Sequence, residues 1–484
     1  MQRKFVTNLA LVLALNLLIK PFWILGIDRA VQNAVGTEQY GFYYAIFNFS
    51  FLLNILLDLG ITNFNNKNIA QNNHLLSKHF SSIVVLRMLL AVAFTIITIT
   101  GGWLIGYTAD MMKMLAIVLF NQILISFILY LRSNLAGLHQ FKTDSVISVL
   151  DRLIMIIICG ALLLTHSEPG TFQLKWFVYS QTLAYIITFF ITFFIVIKKA
   201  KVRRFYWRWP FFLMILKKSY PYAVLVLLMT FYNRIDGVML ERLLPFRTGA
   251  NEAGIYASAY RLLDSANMIA FLFAGLLLPI FARMIKLKQN LQEMIGLSFS
   301  LLVVPAMIVS CCCAFYAYDW MNLLYKGDHI EESAEVFRIL MCCFVPISAT
   351  YIYGTLLTAN GSLRQLNMMA GTGMILNIVM NFYLIPKFEA TGAAISSITT
   401  QLFTCMAQII MVKKIFNFST NFSLVLRITI FTLVCIVFNY LSLQLHYAWM
   451  IRFIVSAGAC FTAAFLLRLI QPIGIYRIIR YEKE

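Results

Sequence analysis

Residues 175–199 read KWFVYSQTLAYIITFFITFFIVIKK. Between Lys175 and Lys198 no side chain is charged, and neither Gly nor Pro interrupts the run. As a helix rising 1.5 Å per residue, residues 176–197 extend roughly 33 Å, enough to cross the ~30 Å of hydrocarbon in a bilayer. Stretches of the same kind recur along the chain, and the spacing predicts fourteen spans: 6–26, 41–61, 82–107, 113–135, 145–165, 175–197, 219–242, 254–281, 293–318, 334–358, 365–385, 392–412, 423–442 and 449–469. Of the 484 residues, 61% are hydrophobic and 12% charged, which excludes an ordinary soluble domain and defines an all-α polytopic membrane protein.

The net charge of +19 would suggest nucleic acid in a soluble protein. Here its location matters more than its sum. Placing the N-terminus with Arg3 and Lys4 in the cytosol puts Lys67 and Lys78, Arg132 and Lys142, Arg283, Lys286 and Lys288, Lys413 and Lys414, and Arg477, Arg480 and Lys483 on that side. The longest basic run, Lys198 to Lys218, falls there too, with Trp207 and Trp209 suited to the interface, while Asp319, Asp328, Glu331, Glu332 and Glu335 make the loop near 319–335 acidic and external. Both termini are then cytosolic.

Nine cysteines sit in or beside apolar segments, with no CxxC pair and no His at metal spacing, so they read as small buried hydrophobes and no metal site is expected. No Gly-rich phosphate loop followed by Lys-Ser/Thr appears. The chain reads as a non-enzyme without a cofactor, whose energy comes from a gradient or a partner.

A repeat is visible. Glu38-Gln39-Tyr40-Gly41-Phe42-Tyr43 opens the second span and Glu252-Ala253-Gly254-Ile255-Tyr256 the eighth, pairing Gly41 with Gly254 and Tyr43 with Tyr256 at an offset of about 213. Six spans separate the two, an even number, so the units share one orientation and a pseudo-twofold axis runs along the membrane normal. The expected organisation is an N-terminal lobe over 1–197 (helices 1–6), a basic cytosolic linker over 198–218, a C-terminal lobe over 219–414 (helices 7–12), and helices 13–14 with a cytosolic tail over 415–484.

Tyr40-Gly41-Phe42-Tyr43 through Leu57-Asp58-Leu59-Gly60-Ile61, followed by Asn68-Ile69-Ala70, resembles the second-helix signature of the polysaccharide flippases within the multidrug/oligosaccharidyl-lipid/polysaccharide (MOP) exporter superfamily. Ile385-Pro386-Lys387-Phe388-Glu389-Ala390-Thr391-Gly392-Ala393-Ala394 is similar to the loop before that family's twelfth helix, with Glu389-Ala390 where a Gly is usual. The resemblance implies two bundles around a central cavity that opens alternately to each side, with spans 13 and 14 appended. It further implies an undecaprenyl-diphosphate-linked oligosaccharide as substrate, moved to the outer leaflet for polysaccharide, O-antigen or capsule export.

Ionisable groups deep in a span are costly unless they face a cavity or a partner. Lys20, Arg234 and Arg261 each fall roughly 9–12 Å below the external surface at 1.5 Å per residue. Adding 214 to Lys20 gives Arg234, close to the repeat offset, so equivalent helices carry equivalent charge. With Asp236 and Asp264 as counter-charges, these five are the candidate substrate-binding residues, and the cations suit a diphosphate. Asp58 reads as a cap or gate, Arg87 and Arg338 as snorkelling near helix ends, and Asp151-Arg152 as a local structural pair. A cation-coupled drug antiporter would need a carboxylate-dominated cavity; a membrane oligosaccharide polymerase or ligase would need a larger external loop than 319–333. A scaffold within a polysaccharide polymerase complex is a further alternative. Asp236 or Asp264 could take H+ or Na+ as coupling ion.

Overall fold

The structure is a computed structural model of the 484-residue chain, and it describes residues 15–62 apart from 17 and 20, residues 65 and 69, 75–166 apart from 139, 171–200, 209–418 and 422–470. The elements are a π-helical segment Trp23–Asp28, α1 (Arg29–Val35), α2 (Thr37–Leu52), a 3-10 turn Asn54–Leu57, α3 (Leu75–Ile105), α4 (Ala109–Gly137), α5 (Phe141–Thr165), α6 (Leu174–Ala200), α7 (Trp209–Leu243) and α8 (Phe246–Lys286). Then follow α9 (Leu291–Ser298), a π-helical segment Phe299–Val303, α10 (Val304–Phe315), α11 (Ala317–Leu324), α12 (Ile330–Cys342), α13 (Phe344–Ala359), α14 (Leu363–Phe416), α15 (Phe422–Leu443) and α16 (Trp449–Leu466).

Among the described residues eleven helical stretches are long and apolar enough to cross a membrane. The difference from fourteen has three local causes. Span 1 lies largely outside the described residues. Span 2 is broken, because α2 ends at Leu52 and a 3-10 turn follows. Spans 11 and 12 are two helices joined within α14 at a kink, where the loop expected at 386–391 is reduced to Glu389, with φ 51° and ψ −131°, and a Cβ on Gly392 would overlap the Leu384 carbonyl oxygen across the break. That single left-handed residue occupies the position where the resemblance led us to expect a Gly.

The expected linker also differs. α6 continues through Lys198 and Lys199 to Ala200 and α7 already begins at Trp209, so Lys217 and Lys218 lie on a helix. Residues 201–208, including Trp207, are outside the described residues. Pro221 lies within α7 just after Lys217 and Lys218, where the apolar span that starts at Tyr220 begins. A π-segment precedes α10, whose Pro305 cannot donate the usual backbone hydrogen bond.

Contacts divide the chain into two compact units, residues 1–254 and 255–484. α7 therefore packs within the first unit, against α2, rather than beginning the second lobe as the repeat suggested. The first unit also contains α3 to α6, with α6 seated on α4 and α5. Its core joins Phe80, Ile83 and Leu86 of α3 to Tyr130, Leu131 and Leu135 of α4, with Val196 and Phe212 from α6 and α7.

The seam between α2 and the first turns of α8 explains the repeat signature. A Cβ on Gly41 would overlap the carbonyl oxygen of Ala250, and one on Gly254 would overlap that of Thr37. Residues 41 and 254 are one repeat pair and 37 and 250 are another, so the contact is reciprocal, as a local twofold requires. Thr37 bonds Asn251 across the same seam, and Gln32 Nε2 donates to the Gly254 carbonyl at 3.0 Å. Small residues let the two backbones touch, which is how helices associate where no hydrophobic effect drives them together.

In the second unit, α15 and α16 pack on α10 through Ile308, Cys312, Phe431, Cys435, Cys460 and Ala463, which places spans 13 and 14 as an appendage to span 9. Asn439 sits inside this apolar contact with its amide 2.9 Å from the Cys435 carbonyl and near the thiols of Cys311 and Cys460. All nine cysteines are free. Tyr316 and Ser442 share a hydrogen bond of 2.7 Å at one end of the same contact.

Candidate functional site

Arg234 and Asp236 both lie on α7 in the first unit. Asp236 is 1% exposed, while Arg234 is half-buried with its guanidinium 5.5 Å from the Phe51 ring. Two positions apart, they stand on different faces of α7. Arg261 and Asp264 lie three apart on α8 in the second unit, on one face, and both are half-buried. Beside them Tyr260 stacks on Tyr256 with ring centroids 5.6 Å apart, and the Tyr256 hydroxyl shares a 3.1 Å hydrogen bond with Ser397 of α14. Lys20 lies outside the described residues.

The first unit holds a second set of charges, of which Arg87 departs from the sequence reading. Arg87 does not snorkel; it is 1% exposed and ion-paired with Asp58. Its Nη1 donates to the backbone oxygen and the hydroxyl of Ser126 at 2.9 and 2.8 Å, its Nη2 to Thr62 Oγ1 at 2.6 Å, and its guanidinium stands 4.9 Å from the Tyr130 ring. A snorkelling path would take away the one cation paired with Asp58, so the guanidinium turns inward.

Asp58 does cap, as the signature suggested. Its carboxylate accepts the backbone N–H of Gly60 at 3.2 Å and of Thr62 at 3.0 Å, holding a turn in which Leu59 has φ 44° and Gly60 φ 82°. Ser126 Oγ reaches the Leu57 carbonyl, and Asn54 bonds Gln122 at 2.6 Å, so the broken end of span 2 finds its missing partners on α4. Nothing in the spacing of Asp58 and Arg87 signals this pairing, because it depends on which faces of α3 and α4 meet.

Asp151 and Arg152 do form a pair, with Nε 3.7 Å from Oδ2. The guanidinium also lies 5.6 Å from the Trp23 ring and 5.9 Å from that of Tyr185, whose hydroxyl is 3.3 Å from Nη1. Next to it Tyr43 and Gln181 bond each other at 3.0–3.2 Å, and Trp23 stacks on Phe177 at 5.9 Å. The Tyr40 hydroxyl donates to Asp28 at 2.7 Å.

At one end of the first unit a cavity of about 500 Å³ is bounded by Phe42 and Ile46 of α2, Met111 and Met114 of α4, and the segment Phe172 to Lys175. Near it, the Arg242 guanidinium pairs with the buried Glu241 at 2.7 Å and lies 4.4 Å from the Tyr107 ring. Arg338 is exposed, its Nε 3.2 Å from the Ala314 carbonyl, in keeping with the expectation for a cation near a helix end.

Helices with apolar outer faces, ionic and aromatic groups turned inward, and a reciprocal Gly seam define a polytopic protein of the fold shared by MOP-superfamily flippases and transporters. The chain aligns with a lipid II flippase, MurJ, in an inward closed conformation at TM-score 0.70 and 15% identity, covering 92% of this chain and 97% of that one. With a multidrug resistance MATE family transporter in an inward-facing conformation the TM-score is 0.62 at 13% identity, over 85% and 100% of the two chains. With a MOP transporter from Pyrococcus furiosus, described as having a binding pocket of reverse polarity, it is 0.50 at 12% identity, over 84% and 94%. Residues 11–285 match the family described as "Polysaccharide biosynthesis protein", and the chain belongs to it. No curated protein matches the chain significantly by sequence.

Proposed function

We propose that the protein is a flippase that carries an undecaprenyl-diphosphate-linked oligosaccharide from the cytosolic to the outer leaflet of a bacterial cell membrane by alternating access. The observation that carries this reading is membership of a polysaccharide biosynthesis family in a chain that is almost wholly membrane-embedded and has a flippase-type fold. An oligosaccharide cannot cross hydrocarbon unaided, because each hydroxyl would lose its water hydrogen bonds at a cost of several kcal/mol. A polar passage removes that cost while the prenyl tail stays in lipid.

On this reading Lys20, Arg234 and Arg261 attract the diphosphate, with Asp236 and Asp264 as counter-charges and as the positions where H+ or Na+ would couple transport. Both termini are cytosolic, and the substrate arrives from cytosolic glycosyltransferases and leaves toward a polymerase complex.

Deleting the protein and following the lipid-linked oligosaccharide by mass spectrometry with leaflet-selective labelling tests the proposal: it accumulates facing the cytosol. Normal exposure at the outer leaflet in the deletion strain would exclude it. A second reading, a drug antiporter, has support in the likeness to MATE transporters; drug sensitivity of the deletion strain without lipid accumulation would favour it.

A further inference from the structure

The geometry points to the Asp151–Arg152 pair of α5 as a glycan subsite in the first unit, taking the uncharged hydroxyl-rich part of the substrate rather than its diphosphate; this rests on the function proposed above. Arg152 lies eleven residues from the start of α5 and thirteen from its end, so roughly 16–20 Å of helix separate it from either terminus. A cation at that depth is maintained only where it meets partners or water.

The lipid-facing side of α5 is marked by Val146, Leu153, Ile157 and Leu164, all exposed. Arg152 stands on another face, in line with the buried Ser145, Ser148 and Cys159, and Ser148 bonds Asn16 of the first span at 3.1 Å. Its neighbours Trp23 and Tyr185 are 6% and 4% exposed. Yet the Arg152 and Asp151 side chains keep 28% and 20% of their surface accessible.

The hydrogen-bond inventory separates this pair from the others. Arg152 Nη1 reaches Tyr185 Oη and Met155 Sδ, at 3.3 and 3.4 Å, and Nε faces Asp151 at 3.7 Å. Among the described residues Nη2 has no hydrogen-bond partner and the Asp151 carboxylate has only Arg152. Donors and acceptors therefore stand side by side, accessible, on a scaffold fixed by two aromatic rings. A vicinal diol, in which each hydroxyl both donates and accepts, complements such a pair. A diphosphate does not, because the adjacent carboxylate repels it.

The experiment uses the full-length protein in lipid nanodiscs and two probes: undecaprenyl diphosphate, and the undecaprenyl-diphosphate-linked oligosaccharide extracted from a strain lacking the protein. Arg152→Gln and Asp151→Asn should each weaken binding of the glycan-bearing lipid by about tenfold and leave the bare diphosphate lipid unchanged within about twofold. Tyr185→Phe, which leaves the ion pair intact and removes one guanidinium contact, should give a smaller loss with the same selectivity, and it serves if the charge variants fail to fold. Equal weakening for both probes would identify a diphosphate site and overturn the inference. Unchanged binding of both would leave a structural pair and overturn it as well. Wild-type protein that binds neither lipid would overturn the proposed function, and the subsite with it.

Discussion

Arg87 and Arg152 are both arginines near the middle of apolar helices in the same unit, each with an aspartate and an aromatic ring, yet their situations are opposite. Arg87 is 1% exposed, and its carboxylate, hydroxyl and carbonyl partners take up the donors of both Nη atoms. Arg152 is held by rings and a neighbouring carboxylate but retains accessible donors. The difference teaches that a charge inside a membrane bundle is structural when its head group is enclosed by fixed partners and available for binding when part of it stays accessible. Burial depth along the helix does not distinguish the two.

The comparison can be broken at its strongest point. Arg87→Met leaves Asp58 without its ionic partner, though still hydrogen-bonded to Gly60 and Thr62, and should destabilise the fold by about 2–4 kcal/mol. The measurement is the thermal transition and the yield of monodisperse protein in detergent; a variant as stable as wild type would show that Arg87 is dispensable. Adding Asp58→Asn to Arg87→Met should recover part of the loss, with a coupling of about 1–3 kcal/mol in a double-mutant cycle. Additive effects would mean that the two residues act separately.

The turn they secure can be probed without touching a charge. Gly60 has φ 82°, a conformation that costs a Cβ-bearing residue about 1–2 kcal/mol, so Gly60→Ala should lower stability by that amount. Glu389 in α14 is the converse case, a non-Gly residue with φ 51°. Glu389→Gly should raise stability by about 0.5–1 kcal/mol, read from the same transition. The smallest effect belongs to Arg152: because its donors are incompletely used, Arg152→Gln should change stability by less than about 1 kcal/mol. A loss as large as that of Arg87→Met would erase the distinction between the two.

Much of the fold was legible in the sequence because hydropathy over twenty residues reports the solvent a helix must meet, whatever its neighbours. The repeat was legible too, since Gly41 and Gly254 are needed where backbones touch and no other residue fits. Less legible was where helices stop. Residues 386–391, with Pro386 among them and Gly392 next, read as a loop, but the break is confined to Glu389, and helix runs up to it on either side. In span 2 the reverse holds: an apolar run breaks at Leu53, and Ser126 of α4 donates to the Leu57 carbonyl that the break frees.

Of the five candidate binding residues, Arg234, Asp236, Arg261 and Asp264 were identifiable as ionisable groups at depth, and the structure places them on α7 and α8. The sequence alone determined that this chain is membrane-spanning, helical and internally repeated, since those properties are set by composition and period, which are local. Which arginine is consumed by a partner and which keeps free donors was decided only by tertiary structure, because a hydrogen bond depends on the face that a distant helix presents.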